Sequence, residues 1–145
     1  MAGSKTNTFE TDILGLVFNN TTIAALGDGT GVVGSTVPGS LFVGLLTTDP
    51  TETGGGTEAT FGAYARQTVA RSGAGWTVAG NQVSNAALIG FAEATSGSET
   101  ISHVGIYDTI TGGTMLYHAT VTTPRAVATG VTLEFAIGAI VITED

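Results

Sequence analysis

The chain has 145 residues, 42% of them apolar and 11% charged, with a formal net charge of -8 and no cysteine. That length suits one domain, 1–145, able to bury roughly two thirds of its unfolded surface, and the apolar fraction is too high for a disordered acidic tail. Only Lys5, Arg66, Arg71 and Arg125 oppose twelve acidic residues, so there is no basic patch to hold nucleic acid, and the lack of cysteine excludes disulfides and thiolate chemistry.

The first twelve residues, MAGSKTNTFETD, carry no apolar segment of the signal-peptide kind. No later stretch approaches the roughly 18 apolar residues of a membrane span. A soluble protein made in the cytoplasm, with no membrane partner, is the expectation. Asn7 followed by Glu10 reads as a capping box with Asn at the cap, and the apolar spacing beyond it predicts a helix over residues 8–18. Phe9, Ile13, Leu14, Leu16, Val17 and Phe18 give that helix more apolar surface than one stripe against its own sheet requires. Phe9, Ile13, Leu16 and Val17 are therefore candidate residues for a contact between subunits.

Gly29-Thr30-Gly31-Val32-Val33-Gly34 spells the G-x-G-x-x-G of a dinucleotide site. That pattern binds phosphate only where it follows a buried strand and opens a helix. Here Asn19–Thr22 upstream is polar, and Pro38-Gly39 downstream breaks any helix within about one turn. Residues 27–40 are read as a glycine-rich surface loop.

Beyond that loop the chain turns to short runs rich in Val, Ile, Thr and aromatics, punctuated by Gly, Asn, Asp and Pro. Strands are predicted at 40–47, 62–71, 75–79, 82–91, 101–107, 114–122, 130–136 and 139–143. Residues 51–60, TETGGGTEAT, form a second exposed glycine-rich loop. Gly80-Asn81 suits a tight hairpin, and residues 108–113 suit another turn. The fold class expected is mainly β, an antiparallel sandwich or small barrel-like (jelly-roll-like) domain with one short N-terminal helix.

Candidate chemistry is sparse. The two histidines, His103 and His118, fall on neighbouring predicted strands and suggest at most half of a metal site. Asp108 with His118 and a serine lacks the sequence context of a hydrolytic triad. Glu93 and Glu99 are separated by a link too loose to hold a catalytic carboxyl pair. No catalytic, cofactor-binding or metal residue is nominated. Arg66 and Arg125 stand out in a chain with so few cations and are candidates for specific carboxylate partners, within the subunit or across an interface.

Three strings carry a resemblance: Leu41-Phe42-Val43-Gly44-Leu45-Leu46-Thr47-Thr48-Asp49-Pro50, Gly62-Ala63-Tyr64-Ala65-Arg66-Gln67, and Ile101-Ser102-His103-Val104-Gly105-Ile106-Tyr107-Asp108 with Thr111-Gly112-Gly113. With the N-terminal NTFETDILGLVF and the ending LEFAIGAIVI, they resemble small virion proteins of tailed bacteriophages and prophages, carrying head decoration (cement) or tail fibre labels. The resemblance covers nearly the whole chain, departs at the GDGTGVVGSTVPGS insertion, and brings no catalytic residue with it. It implies a non-enzymatic virion protein assembled in the bacterial host cytoplasm. The leading expectation is a capsid decoration protein binding the major capsid protein. A tail fibre or baseplate/adaptor module is the alternative. Self-association, as a trimer on threefold positions of the shell, is the expected assembly.

Overall fold

The computed structural model describes residues 4–144. Those residues hold one helix, α1 (Asn7–Asn19), and nine strands: β1 (Ser40–Leu46), β2 (Gln67–Ala70), β3 (Trp76–Ala79), β4 (Gln82–Asn85), β5 (Ile89–Gly90), β6 (Ser98–Tyr107), β7 (Met115–Ala128), β8 (Glu134–Phe135) and β9 (Val141–Thr143). The ladders β1–β6, β6–β7, β3–β4, β4–β9 and β5–β8 are all antiparallel. The mainly β, antiparallel class with one N-terminal helix is as expected. The chain divides into two compact units, each made of discontinuous segments.

The first unit comprises the residues up to Ser40, Ala70–Ala87 and the residues from Ile137 on. Its sheet runs β3-β4-β9, with Trp76, Val83 and Ile142 buried beside Leu14 and Phe18 of α1. Phe18 meets the Trp76 ring edge-on, with centroids 4.9 Å apart, a favoured aromatic geometry. The helix begins one residue earlier than a capping box at Asn7 requires: Thr6 is the N-cap, its hydroxyl accepting the Phe9 N–H at 3.4 Å. It ends at Asn20, which takes the left-handed conformation, and the Thr21 N–H returns to the Gly15 carbonyl at 2.9 Å. Ala79 pairs with Gln82, so the connection is the two-residue Gly80-Asn81 turn, with Gly80 at φ +63 as the twist of such hairpins demands.

The GTGVVG stretch forms the returning arm of a small loop closed by a bridge between Ile23 and Val32, and no helix follows it. The Asp28 carboxylate accepts from the Thr30 N–H (2.8 Å), the Thr30 hydroxyl (2.6 Å) and the Gly31 N–H (3.1 Å). Gly31 sits at φ +65 where a Cβ would come within 1.9 Å of the Ile23 carbonyl oxygen. That glycine serves backbone packing rather than phosphate.

The second unit comprises Leu41–Val69 and Leu88–Ala136. It is built on the sheet β2-β1-β6-β7 and the short pair β5-β8. Val43, Leu45, Ile101, Val104 and Ile106 are buried. The ring pairs Phe61–Tyr64 (5.3 Å), Tyr64–Phe91 (6.2 Å) and Phe91–Phe135 (6.3 Å) extend this core.

Four predicted strands need correction. The 130–136 strand shrinks to Glu134–Phe135, because Gly130 sits at φ 86 and the Val131 N–H turns back to the Ala128 carbonyl at 2.9 Å. The 62–71 strand is reduced to Gln67–Ala70, because Ala63 adopts φ 71, which no extended strand accommodates. The 82–91 strand is two elements: buried Asn85 turns inward, its Nδ2 donating to the Ala87 carbonyl (2.8 Å) and its Oδ1 accepting from the Ile140 N–H (2.9 Å). The 114–122 strand continues to Ala128. Pro124 does not stop it, because β7 is the end strand of its sheet and Val121–Pro124 lie where the ladder slips between Ile101 and His103; edges and bulges are where strands accept proline.

Candidate functional site: an arginine-centred cluster in the second unit

β1 and β6 pair Gly44 with Gly105, leaving a strip of bare backbone across two strands. The Tyr107 ring lies over it. A Cβ on Gly44 would stand 2.9 Å from Tyr107 Cε2, and one on Gly105 would stand 2.7 Å from the same atom. On the Tyr107 ring rests the Arg66 guanidinium, its carbon 3.4 Å from the centroid, within cation–π range.

Arg66 is only 8% exposed, and four of its donor bonds are satisfied. Nε and Nη2 grip the two carboxylate oxygens of Glu58, each at 2.8 Å. Nη1 donates to the carbonyls of Thr109 and Gly112, each at 2.8 Å. The Tyr64 hydroxyl donates to Glu58 Oε1 (2.7 Å) and accepts from the Leu45 N–H (3.0 Å). One side chain thus clamps the 108–113 turn and the return of the 51–58 loop onto the β1–β6 ladder. A planar, bidentate donor does this where a lysine cannot.

The electrostatics follow from the geometry. Burial pushes the Glu58 carboxyl up, but hydrogen bonds from Arg66 and Tyr64, with the Arg66 charge, outweigh it and hold the group below its ordinary 4.5. The bond to Glu58 raises Arg66 further above its already high value. Burial, reinforced by the neighbouring carboxylate, pushes the Tyr64 and Tyr107 phenols up. Around neutral pH the cluster is a fixed ion pair flanked by neutral phenols. It has no group poised to exchange a proton, and its chemistry is that of a lock.

The other residues singled out in the sequence are dispersed. Arg125 is exposed on β7, opposite Ile101. Phe9, Ile13, Leu16 and Val17 on α1 are each partly covered within the chain. His103 pairs with Thr120, and His118 with Gly105, which makes the histidines diagonal neighbours on one face rather than a facing pair. His103 Nδ1 bonds the Ser102 hydroxyl (2.9 Å), and its Nε2 lies 3.8 Å from Asp49 Oδ1. No group of three or more metal-ligating side chains occurs among the described residues. Glu99 binds Thr60, through its N–H (3.0 Å to each oxygen) and its hydroxyl (2.6 Å), while Glu93 is exposed. Asp108 Oδ1 accepts from the Thr114 N–H at 2.8 Å and pins the turn. The 51–60 loop is exposed at Thr51–Thr57 and at Thr60, but Glu58 enters the cluster and Ala59 is buried.

Arg71 was not singled out, yet it anchors the first unit. Its Nη2 and Nε donate to the carbonyls of Leu16 and Val17, both at 2.6 Å. These are orphan acceptors at the C-terminus of α1, where a cation also complements the helix dipole. Its Nη1 reaches the Pro38 carbonyl (3.3 Å) and the Ser35 hydroxyl (3.4 Å), so three of its four partners are backbone carbonyls, which leave no mark in a sequence.

Gly44, Tyr64, Arg66, Gly105, Tyr107 and Gly112 all come from the strings that carry the virion-protein resemblance, and the fold gathers them into the lock. No curated protein matches the chain. Residues 4–143 match the family model described as Podophage GP4 fiber I protein gp80, and the chain belongs to that family of tailed-phage virion proteins.

Proposed function

We propose that the chain is a non-enzymatic structural module of a phage tail fibre. The observation that carries this reading is the family match over residues 4–143, whose description names a fibre protein. It favours the tail-associated alternative over the capsid decoration role, and with it a fibre setting over a contact with the major capsid protein. The use of polar side chains supports a structural role: Glu58, Tyr64 and Arg66 bind one another, Glu99 binds Thr60 and Asp108 binds the Thr114 backbone. Each spends its hydrogen-bonding capacity on holding loops. A fibre module must keep its loops set while exposed outside the cell, and a bidentate pair stacked on an aromatic ring provides that rigidity.

The reading is tested by deleting the coding sequence from the phage. Particles with filled, stable heads but missing or truncated fibres are expected, with fibres restored by supplying the chain in trans. Heads that leak or burst while fibres remain intact would overturn it.

A further inference from the structure

We propose that the loop of residues 20–39 is a preformed self-association surface that meets the same loop of a second copy across a two-fold axis. The inference does not depend on where in the virion the protein sits.

The loop is built to hold one shape. At its neck the Asn20 side chain grips the Ser35 backbone twice, Nδ2 donating to the carbonyl and Oδ1 accepting from the N–H, both at 2.7 Å. Further in, the Gly34 N–H donates to the Thr22 hydroxyl at 3.3 Å, and Ile23 and Val32 exchange two backbone bonds of 2.9 Å. Arg71 ties down the exit through the Ser35 hydroxyl and the Pro38 carbonyl. Gly34 has no room for a side chain, since a Cβ there would collide with the Asn20 carbonyl. Ala25 is kept at φ 56, a conformation that costs alanine about 1–2 kcal/mol.

Such ordering costs backbone entropy, about 1–2 kcal/mol per residue, and the loop offsets little of it with apolar burial of its own. Within it only Ile23 is buried. Leu26, Val33 and Val37 stay outside, at 45%, 65% and 77% exposure. A loop fixed by hydrogen bonds with its apolar side chains outward is arranged for a partner, because a conformation set in advance spares the ordering cost at binding.

Charge selects the occupant. The chain carries a net -8, which opposes contact between copies over most of its surface. From Ile13 to Thr48 the one charged residue is Asp28, whose carboxylate is bonded within the loop by Thr30 and Gly31. The absence of Lys and Arg from that stretch disfavours an acidic partner, and the exposed valines call for an apolar, uncharged face. The same loop on a second copy is such a face, and a patch that binds itself closes as a two-fold pair. Its length matches the lower end of a standard interface, about 20–30 residues a side.

The test is sedimentation of the full chain at rising concentration, with hydrogen exchange on the same samples. A dimer is expected, with amide protection of residues 24–38 growing with concentration. The double variants Val33→Asp/Val37→Asp and Val33→Lys/Val37→Lys change only exposed side chains, and both should weaken dimerisation at least tenfold while leaving the circular dichroism spectrum unchanged. Leu88→Lys, at a 57% exposed position of the second unit, should leave dimerisation unchanged. A chain that stays monomeric or forms an oligomer of another size would overturn the proposal. So would association that either double variant leaves within twofold, tighter association in the lysine variant, which would mark an acidic partner face, or protection that grows away from the loop.

Discussion

Replacing Arg66 by methionine keeps an unbranched apolar stem and removes the guanidinium with its charge and donors. Four hydrogen bonds disappear: two to Glu58 and two to the carbonyls of Thr109 and Gly112. The stacking on Tyr107 goes with them. Breaking a fully buried pair by removing one partner costs about 3–5 kcal/mol. The Glu58 side chain is 32% exposed and keeps its bond from Tyr64, so water recovers part of that and the low end, about 3 kcal/mol, is expected. For a chain of this size the loss corresponds to a fall in melting temperature of about 6–12 °C.

Urea denaturation followed by circular dichroism measures the change directly. Arg66→Lys, which keeps the charge but loses the fork, should fall between wild type and Arg66→Met. Because Glu58 sits below its ordinary 4.5 in the folded protein, its contribution is fully present above that pH and is lost as the pH falls through the folded value. Glu58→Gln should therefore flatten the acid limb of the stability curve and leave a smaller Arg66→Met penalty than in wild type. An Arg66→Met protein within about 0.5 kcal/mol of wild type, the range of ordinary surface substitutions, would refute the lock.

Gly105→Ala places a Cβ 2.7 Å from Tyr107 Cε2 and should cost about 1–3 kcal/mol in urea denaturation, whereas Gly73→Ala, which meets nothing within 4 Å, should be nearly neutral. Arg71→Met removes the donors to the Leu16 and Val17 carbonyls and should cost about 1–2 kcal/mol by thermal melting. Both compact units are stitched from alternating stretches of chain, and we expect them to unfold as one domain; the only tryptophan, Trp76, reports on the first unit and all three tyrosines, Tyr64, Tyr107 and Tyr117, report on the second. Tryptophan fluorescence and near-ultraviolet tyrosine signals should then give coincident denaturation midpoints, and separated midpoints would refute the single domain.

Local chemistry made the helix, the Gly80-Asn81 hairpin and the 108–113 turn legible, since each is written in neighbouring residues. What escaped the sequence depends on distant ones. The alternation of Ala63-Tyr64-Ala65-Arg66 reads as a strand, yet Ala63 turns to positive φ and Arg66 reaches carbonyls at Thr109 and Gly112. Asn85 reads as one polar residue inside a strand, and its bond from the Ile140 N–H joins residues 55 positions apart. The proline that suggests an end to β7 is tolerated because the strand lies at a sheet edge, a fact of topology. Arg66 was legible as a cation seeking a carboxylate; that the carboxylate is Glu58, in what reads as a flexible loop, was not.

The central claim, a structural module of the tail fibre, is tested most directly by locating the chain on intact particles. Gold-labelled antibody against the protein, imaged on whole virions, should mark the fibres alone and leave the head unlabelled. Label distributed over the capsid surface, with bare fibres, would contradict the account and restore the decoration role.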